Sequence, residues 1–267
     1  MFLPGPFVWK AMGELSQSVR TGEPAFDRVH GQNFYAHLEA RPEEAGVFNR
    51  VMNQEIPWTA PALLRAYDFS RFKRVVDVGG GHGLFLSHIL ATIPTLEGIL
   101  FDLPEVVAAA KDSFKGDVAT RVRIVGGSFL ESVPEGGDAY VLRKVIPNSD
   151  DEQAARILGN VRRAMGADGI LLLIESLIDS SINPAGPIDL VMLIVFGGRA
   201  RTEAKPRALL QAVGFSLNRV IPAGRYSWIE WVSIPRQWDT RPMVWTIKKG
   251  TGSSGTFYAG EVSRVGS

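Results

Sequence analysis

The chain has 267 residues, 45% of them apolar and 21% charged, enough apolar material for a sizeable core and not the composition of a mainly disordered or collagen-like protein. Twenty-nine Lys and Arg stand against 28 Asp and Glu, a net charge of +1, so no global field recruits nucleic acid or an anionic membrane. There is no cysteine, which excludes disulfides, thiolate metal sites and a cysteine nucleophile, and a cytoplasmic location is the natural expectation.

Residues Met1 to Trp9 are apolar but carry Pro4, Gly5 and Pro6 with no preceding basic region, so they do not read as a signal peptide. The longest apolar runs, Ile170–Ile174 and Leu190–Phe196, fall far short of the roughly 20 residues that span a bilayer. Residues 1–72 carry apolar positions at helical spacing, such as Phe34, Leu38, Phe48, Val51 and Met52. Gly31, Pro42 and Pro57 cut this stretch into short helices, and no strand pattern interrupts it.

From Lys73 the texture changes to strand–helix alternation. Val75–Val78 predicts a strand ending in glycines, His82–Ile93 a helix, Gly98–Phe101 a strand and Pro104–Phe114 a helix with Pro at its start. Arg121–Val125 and Asp138–Leu142 predict further strands. A capping box at Ser149-Asp150-Asp151-Glu152 opens a helix to about Met165. Gly169–Glu175 holds five consecutive apolar residues, which suit a parallel strand covered on both faces. The class is α/β, a layered sheet with right-handed crossovers. Residues 231–267 differ again: Trp231, Trp238 and Trp245 are followed by Gly and Ser at 250–255, with five basic residues against two acidic ones. Disorder is expected after about Lys248. Packing and a partner surface are both open readings for these tryptophans.

Asp77-Val78-Gly79-Gly80-Gly81-His82-Gly83 lies where the first strand turns into a helix, and glycines there let a ligand approach the peptide groups. Asp102 ends the next strand, where an acid can bind the two ribose hydroxyls of an adenosine-containing cofactor. The dinucleotide pattern fails because its last glycine falls on Leu84, and Asp77 directly before the turn would repel a pyrophosphate. Asp77 suits the ammonium of an amino-acid moiety, so S-adenosylmethionine fits better than NAD.

These residues resemble the S-adenosylmethionine-dependent small-molecule O-methyltransferases of the plant caffeate and hydroxyindole type and their bacterial relatives. The matching stretches are Val75–Gly83, Phe101–Val107, Asp150–Gln153 with its helix, Gly197–Thr202 and Gly214-Phe215, within residues 7 to 230. The resemblance implies a Rossmann-like class I methyltransferase sheet of seven strands, the last near Trp228–Ser233 and antiparallel. It also implies an N-terminal dimerisation domain, of which residues 1–72 are expected to keep the linking helices and not the winged-helix portion, so that any homodimer is weak. Residues 73–235 are then the S-adenosylmethionine-binding domain and 236–267 a tail outside the family pattern.

Carried over residue by residue, the resemblance gives Gly79, Gly81 and Gly83 to the cofactor turn, Asp102 to the ribose, Leu103 and Phe129 to the adenine, and Arg143 to the cofactor carboxylate. The family's adenine-side Asp falls on Ser128, which accepts a hydrogen bond without a carboxylate's charge. The family's catalytic base is a His, and Pro147 stands in its place; a proline accepts no proton. All four histidines (His30, His37, His82, His88) lie before residue 89. Of the two acids that orient the base, Glu175 is retained and the other falls on Ala200. Met192 is either core or acceptor-pocket wall. His82 and His88 read as solvated or packing residues, and no metal is expected. Two functions remain: methyl transfer to a hydroxyl of a small aromatic or polyketide-like molecule with impaired base catalysis, or a cofactor-binding relative that does not methylate. An NAD oxidoreductase is a distant third.

Overall fold

The computed structural model describes residues 5–149, 151–176, 187–197, 204–234, 244–252 and 255–263. Six short helices come first: α1 (Gly5–Met12), α2 (Leu15–Thr21), α3 (Ala25–His30), α4 (Phe34–Glu39), α5 (Pro42–Gln54) and α6 (Ile56–Ala66). Their ends follow the sequence. Gly22 and Gly31 take left-handed caps after α2 and α3, the Asn33 side chain caps α4, and Pro42 opens α5 with Glu43 and Glu44 in its first turn.

The alternating region then supplies β1 (Arg74–Val78), α7 (Leu84–Thr92), β2 (Glu97–Asp102), α8 (Pro104–Val107), β3 (Val122–Gly126), β4 (Ala139–Arg143), α9 (Asp151–Ala164) and β5 (Ile170–Glu175). After it come α10 (Pro187–Phe196), α11 (Ala204–Ala212), β6 (Phe215–Ala223) and β7 (Tyr226–Ser233). Seven strands form one sheet in the order β3-β2-β1-β4-β5-β7-β6. The first five are parallel neighbours, and β7 runs antiparallel to both β5 and β6. This is the seven-stranded α/β sheet expected, with its antiparallel strand at 226–233.

Two cores cover the sheet faces. One joins α6 and α7 to the sheet around Trp228, Leu86 and Leu100; the other joins α9 and α11 to it around Ile157, Leu173 and Phe215. A third core lies within the N-terminal helices, where Phe7, Phe26 and Phe34 meet Val191, Ile194 and Val195 of α10. The helical segment thus packs against the sheet domain at two places, through α10 and through α6.

Three expectations are corrected. The helix predicted over Pro104–Phe114 stops at Val107 and gives way to a 3-10 turn at Ala110–Ser113. The break turns Phe114 under the glycine turn, where its ring would lie 2.4 Å from a Cβ on Gly83. The helix predicted from His82 starts at Leu84, because Gly83 is its N-cap at φ 80°. The tail predicted to be disordered contains a hairpin, β8 (Val244–Gly252) with β9 (Gly255–Ser263), paired from Val244↔Ser263 to Gly252↔Gly255. Its β-branched and aromatic residues on both strands outweigh the Gly and Ser between them. No described helix is long and apolar enough to cross a membrane.

Candidate functional site

The strand order reverses at β1, whose neighbours β2 and β4 continue in opposite directions across the sheet, and such a crevice is where open α/β sheets bind ligands. A cavity of about 2020 Å³ opens there. The sheet supplies one wall through the ends of β1, β2, β4 and β5; helices α4, α5 and α10 supply another.

Asp102 fixes the glycine turn. Its Oδ2 accepts the Gly81 N–H at 2.7 Å and its Oδ1 accepts the Leu103 N–H at 2.7 Å. A carboxylate oxygen has two acceptor directions, so each retains one for a ligand hydroxyl. Burial pushes the Asp102 pKa up, against the lowering effect of these two N–H groups. Gly79, at φ 70°, turns its N–H back to the Phe101 carbonyl at 2.8 Å. A Cβ on Gly81 would meet nothing within 4 Å, so the turn's apex gives directly onto open space. A Cβ on Gly80 would stand 2.6 Å from Asp77 Oδ2, so only glycine lets the loop close over that carboxylate.

Asp77, on β1, is 1% exposed, and its Oδ2 has no hydrogen-bond partner among the described residues. Burial pushes its pKa up to about 7, with Arg143 pulling down and Asp102 pushing up. Arg143 ends the neighbouring strand β4. Its Nη2 donates to Glu55 Oε1, while its Nε is buried without a partner among the described residues. An acid and a base, each with one buried polar atom unsatisfied, therefore face one crevice. Such atoms cost about 1–3 kcal/mol each unless a ligand meets them.

Glu55 lies between α5 and α6. Its Oε1 accepts from both Arg143 and Lys144 Nζ, and its Oε2 accepts the Tyr226 hydroxyl at 2.9 Å. Burial alone would raise the Glu55 pKa, but Lys144, Arg143 and Tyr226 together hold it below the usual carboxylate value. Burial likewise lowers the Lys144 pKa, opposed chiefly by Glu55 and then Glu175. Lys144 has φ 58°, the only positive value outside glycine among the described residues. This conformation costs an L-residue about 1–2 kcal/mol.

The remaining expected residues gather around the same cavity, with one outside the described residues. Leu103 precedes α8, the Ser128 hydroxyl accepts the Leu130 N–H at 3.2 Å, and the Phe129 carbonyl accepts from Asn160 at 2.7 Å; all three line it. Gly83 caps α7 behind the turn, packed on Phe114, and does not line the cavity. Pro147 sits in a 3-10 turn, Ile146–Asn148, on the cavity wall. Its neighbour Asn148 donates to the Tyr35 hydroxyl and to the Lys144 carbonyl, each at 3.1 Å. Half-buried Glu175 closes β5, and Met192 of α10 is half-buried against the N-terminal core; both line the cavity. Ala200 lies outside the described residues. His82 also lines the cavity, and no group of three or more His, Asp or Glu among the described residues could hold a metal.

Sequence reasoning passed over Gly80, Glu55, Lys144 and Tyr226. Gly80 was legible as part of the glycine run; Glu55 was not, since its partners stand 88, 89 and 171 positions further along.

Comparison with known proteins gives a consistent answer. Phenazine O-methyltransferase PhzM of Lysobacter antibioticus is 39% identical over 217 residues, covering 80% of this chain and 64% of that protein. O-demethylpuromycin-O-methyltransferase of Streptomyces alboniger is 41% identical over 219 residues, covering 79% of this chain and 58% of that protein. The chain thus spans about six-tenths of the length of these curated relatives. Among solved structures, an O-methyltransferase from neocarzinostatin biosynthesis, NcsB1, in complex with S-adenosylmethionine and 2-hydroxy-5-methyl naphthoic acid, superposes with a TM-score of 0.79 at 31% identity, covering 85% of this chain and 69% of that one. The O-methyltransferase domain family itself matches residues 12–216, and to that family this chain belongs.

Proposed function

We propose that this chain binds S-adenosylmethionine in the crevice between β1, β2 and β4 and methylates a hydroxyl of a small aromatic or polyketide-like acceptor. The observation that carries the reading is the pair of unsatisfied buried atoms, Asp77 Oδ2 and Arg143 Nε. Together they are the complement of an amino acid's ammonium and carboxylate. S-adenosylmethionine supplies, when bound, a methyl group on a sulfonium sulfur, open to attack by an oxygen nucleophile. Asp102 accepts the ribose hydroxyls through its two unused lone-pair directions. Asp77 accepts the ammonium and Arg143 donates to the carboxylate. Leu103 and Phe129 flank the adenine, and the Ser128 hydroxyl meets its edge. Gly79, Gly81 and Gly83 keep the turn free of side chains.

On the acceptor side, Met192 and the N-terminal helices form the apolar wall, and Glu175 faces the reacting hydroxyl. Pro147 takes no proton, so the acceptor must arrive already ionised, which selects acidic phenols. Positioning a phenolate in line with the methyl can still supply much of the acceleration. A cytoplasmic enzyme able to form a homodimer through residues 1–72 fits this reading, with residues 73–235 as the catalytic domain and 236–267 as a region outside the family pattern. A second reading, cofactor binding without methyl transfer, rests on Pro147 and Ala200, which stand at two of the three catalytic positions of the family. Calorimetry with S-adenosylhomocysteine, followed by mass spectrometry over phenols of graded acidity, tests both. Binding with methylation of the acidic phenols supports the first; binding without any methylated product supports the second; no binding defeats both.

A further inference from the structure

We propose that Glu55 sets the affinity of this site for its cofactor by occupying, with its own carboxylate, the cations that the cofactor's carboxylate needs. The inference rests on the reading that the crevice takes S-adenosylmethionine. Arg143 and Lys144, adjacent in sequence at the end of β4, both donate to one oxygen of Glu55, and Tyr226 holds the other oxygen at 2.9 Å. The side chains are 11%, 30% and 28% exposed for Arg143, Lys144 and Glu55, so solvent screens this cluster only in part. A second carboxylate brought onto Arg143 comes against the charge of the first.

Three observations place Glu55 in competition and not merely alongside. It is the carboxylate bound to the guanidinium of Arg143, a residue that lines the cavity and whose Nε is buried without a partner among the described residues. It comes from the junction of α5 and α6 and not from the sheet, so it can withdraw without disturbing the strands. Lys144 and Tyr226 offer it partners to keep when it leaves Arg143. Two arrangements are proposed: Glu55 on Arg143, where a ligand carboxylate finds only Nε and meets the charge of Glu55, and Glu55 drawn back onto Lys144 and Tyr226, where the whole guanidinium is released. A ligand's apparent affinity is reduced by the fraction of molecules in the competent arrangement, so an internal occupant present nine-tenths of the time weakens binding about tenfold.

Glu55→Gln isolates the charge. Glutamine still offers an acceptor oxygen, but a neutral amide holds Arg143 more weakly than a carboxylate and does not repel a ligand carboxylate, so the guanidinium is yielded to the ligand. Calorimetry on the full chain should compare S-adenosylhomocysteine with 5′-methylthioadenosine, which has the same adenosine thioether and no amino-acid group. The expected result is about tenfold tighter binding of S-adenosylhomocysteine by Glu55→Gln and unchanged binding of 5′-methylthioadenosine. In an Arg143→Gln background the gain should vanish, because the contested donor is gone. Unchanged or weaker S-adenosylhomocysteine binding in Glu55→Gln overturns the proposal, weaker binding marking Glu55 as a support for Arg143. An equal gain for both ligands also overturns it. If the unmodified chain binds neither ligand, the cofactor assignment itself fails; if it binds both and the variant shows no selective gain, only the role of Glu55 fails.

Discussion

The carboxylate of Asp102 accepts the backbone N–H of Gly81 at 2.7 Å, so the end of β2 holds the apex of the glycine turn that follows β1. One side chain thereby shapes the turn and presents its remaining lone pairs to the crevice. Asp102→Ala should weaken S-adenosylhomocysteine binding more than tenfold, since charge-assisted hydrogen bonds contribute about 1.5–3 kcal/mol. Calorimetry checks this, and equal affinity in the variant would remove Asp102 from the cofactor site.

Asp77 makes binding and stability depend on pH in opposite directions. Its pKa lies near 7 in the folded chain against 3.8 ordinarily, so the folded state holds a proton that the unfolded state has lost between those values. Stability of the ligand-free chain from this group is full below about pH 4 and falls as pH rises to 7. A ligand ammonium needs the ionised form, so S-adenosylhomocysteine affinity should rise from pH 6 to pH 8 with release of a proton. Asp77→Asn should flatten both dependences. Thermal melts and calorimetry across that range, in buffers of different ionisation enthalpy, measure them.

The buried carboxylate of Glu230 is a structural knot. It accepts from Tyr67 at 2.5 Å, Arg71 at 2.7 Å and Arg219 at 3.0 Å, and also from Asn218. Tyr67→Phe removes one donor to a fully buried charge and should cost about 1.5–3 kcal/mol. Denaturant unfolding should show this as a lower midpoint at unchanged slope, with S-adenosylhomocysteine affinity unaltered. A loss of affinity at unchanged stability would contradict the structural role.

On the proposed reading, Pro147→His would supply a proton acceptor without a second acid to orient it, since residue 200 is Ala. A base contributes about 10²–10⁴ in rate when well placed. The single change should give less than that range on phenols that are un-ionised at the assay pH, and little on acidic ones. Adding Ala200→Glu should raise the slow substrates further. Rates against acceptor pKa for the three proteins decide the matter: an unsubstituted chain equally fast on neutral and ionised phenols would show that another group takes the proton.

Local pattern was enough to read the sheet where it stated the answer locally. Five apolar residues before Glu175 and the β-branched run before Gly79 each marked a buried parallel strand to within one residue. Strand β6 was not legible: Phe215–Ala223 alternates imperfectly, carries Pro222, and gains its form by pairing along β7. Phe114 was assigned to a helix because nothing in its neighbours announces the turn beneath Gly83. At the site, glycines and terminal acids signalled themselves by position after strands. Glu55 gave no such signal, because its partners lie on β4 and β7 and meet it only after folding.

Helix α6 is about 16 Å long and is fastened to β7 at its far end, where the Leu63 carbonyl accepts the Trp228 indole N–H at 2.9 Å and Tyr67 meets Glu230. Its near end begins at the residue after Glu55. Helix α5, on the other side of Glu55, has no fully buried residue. Helix α6 is thus pinned to the sheet along its length, whereas α5 is anchored by no fully buried side chain of its own. Phe48, Val51 and Met52 of α5 line the cavity, so one wall of the crevice rests on the helix with no fully buried residue and the opposite wall on the sheet itself. The proposed withdrawal of Glu55 would then be accommodated on the α5 side of the crevice and not on the α6 side.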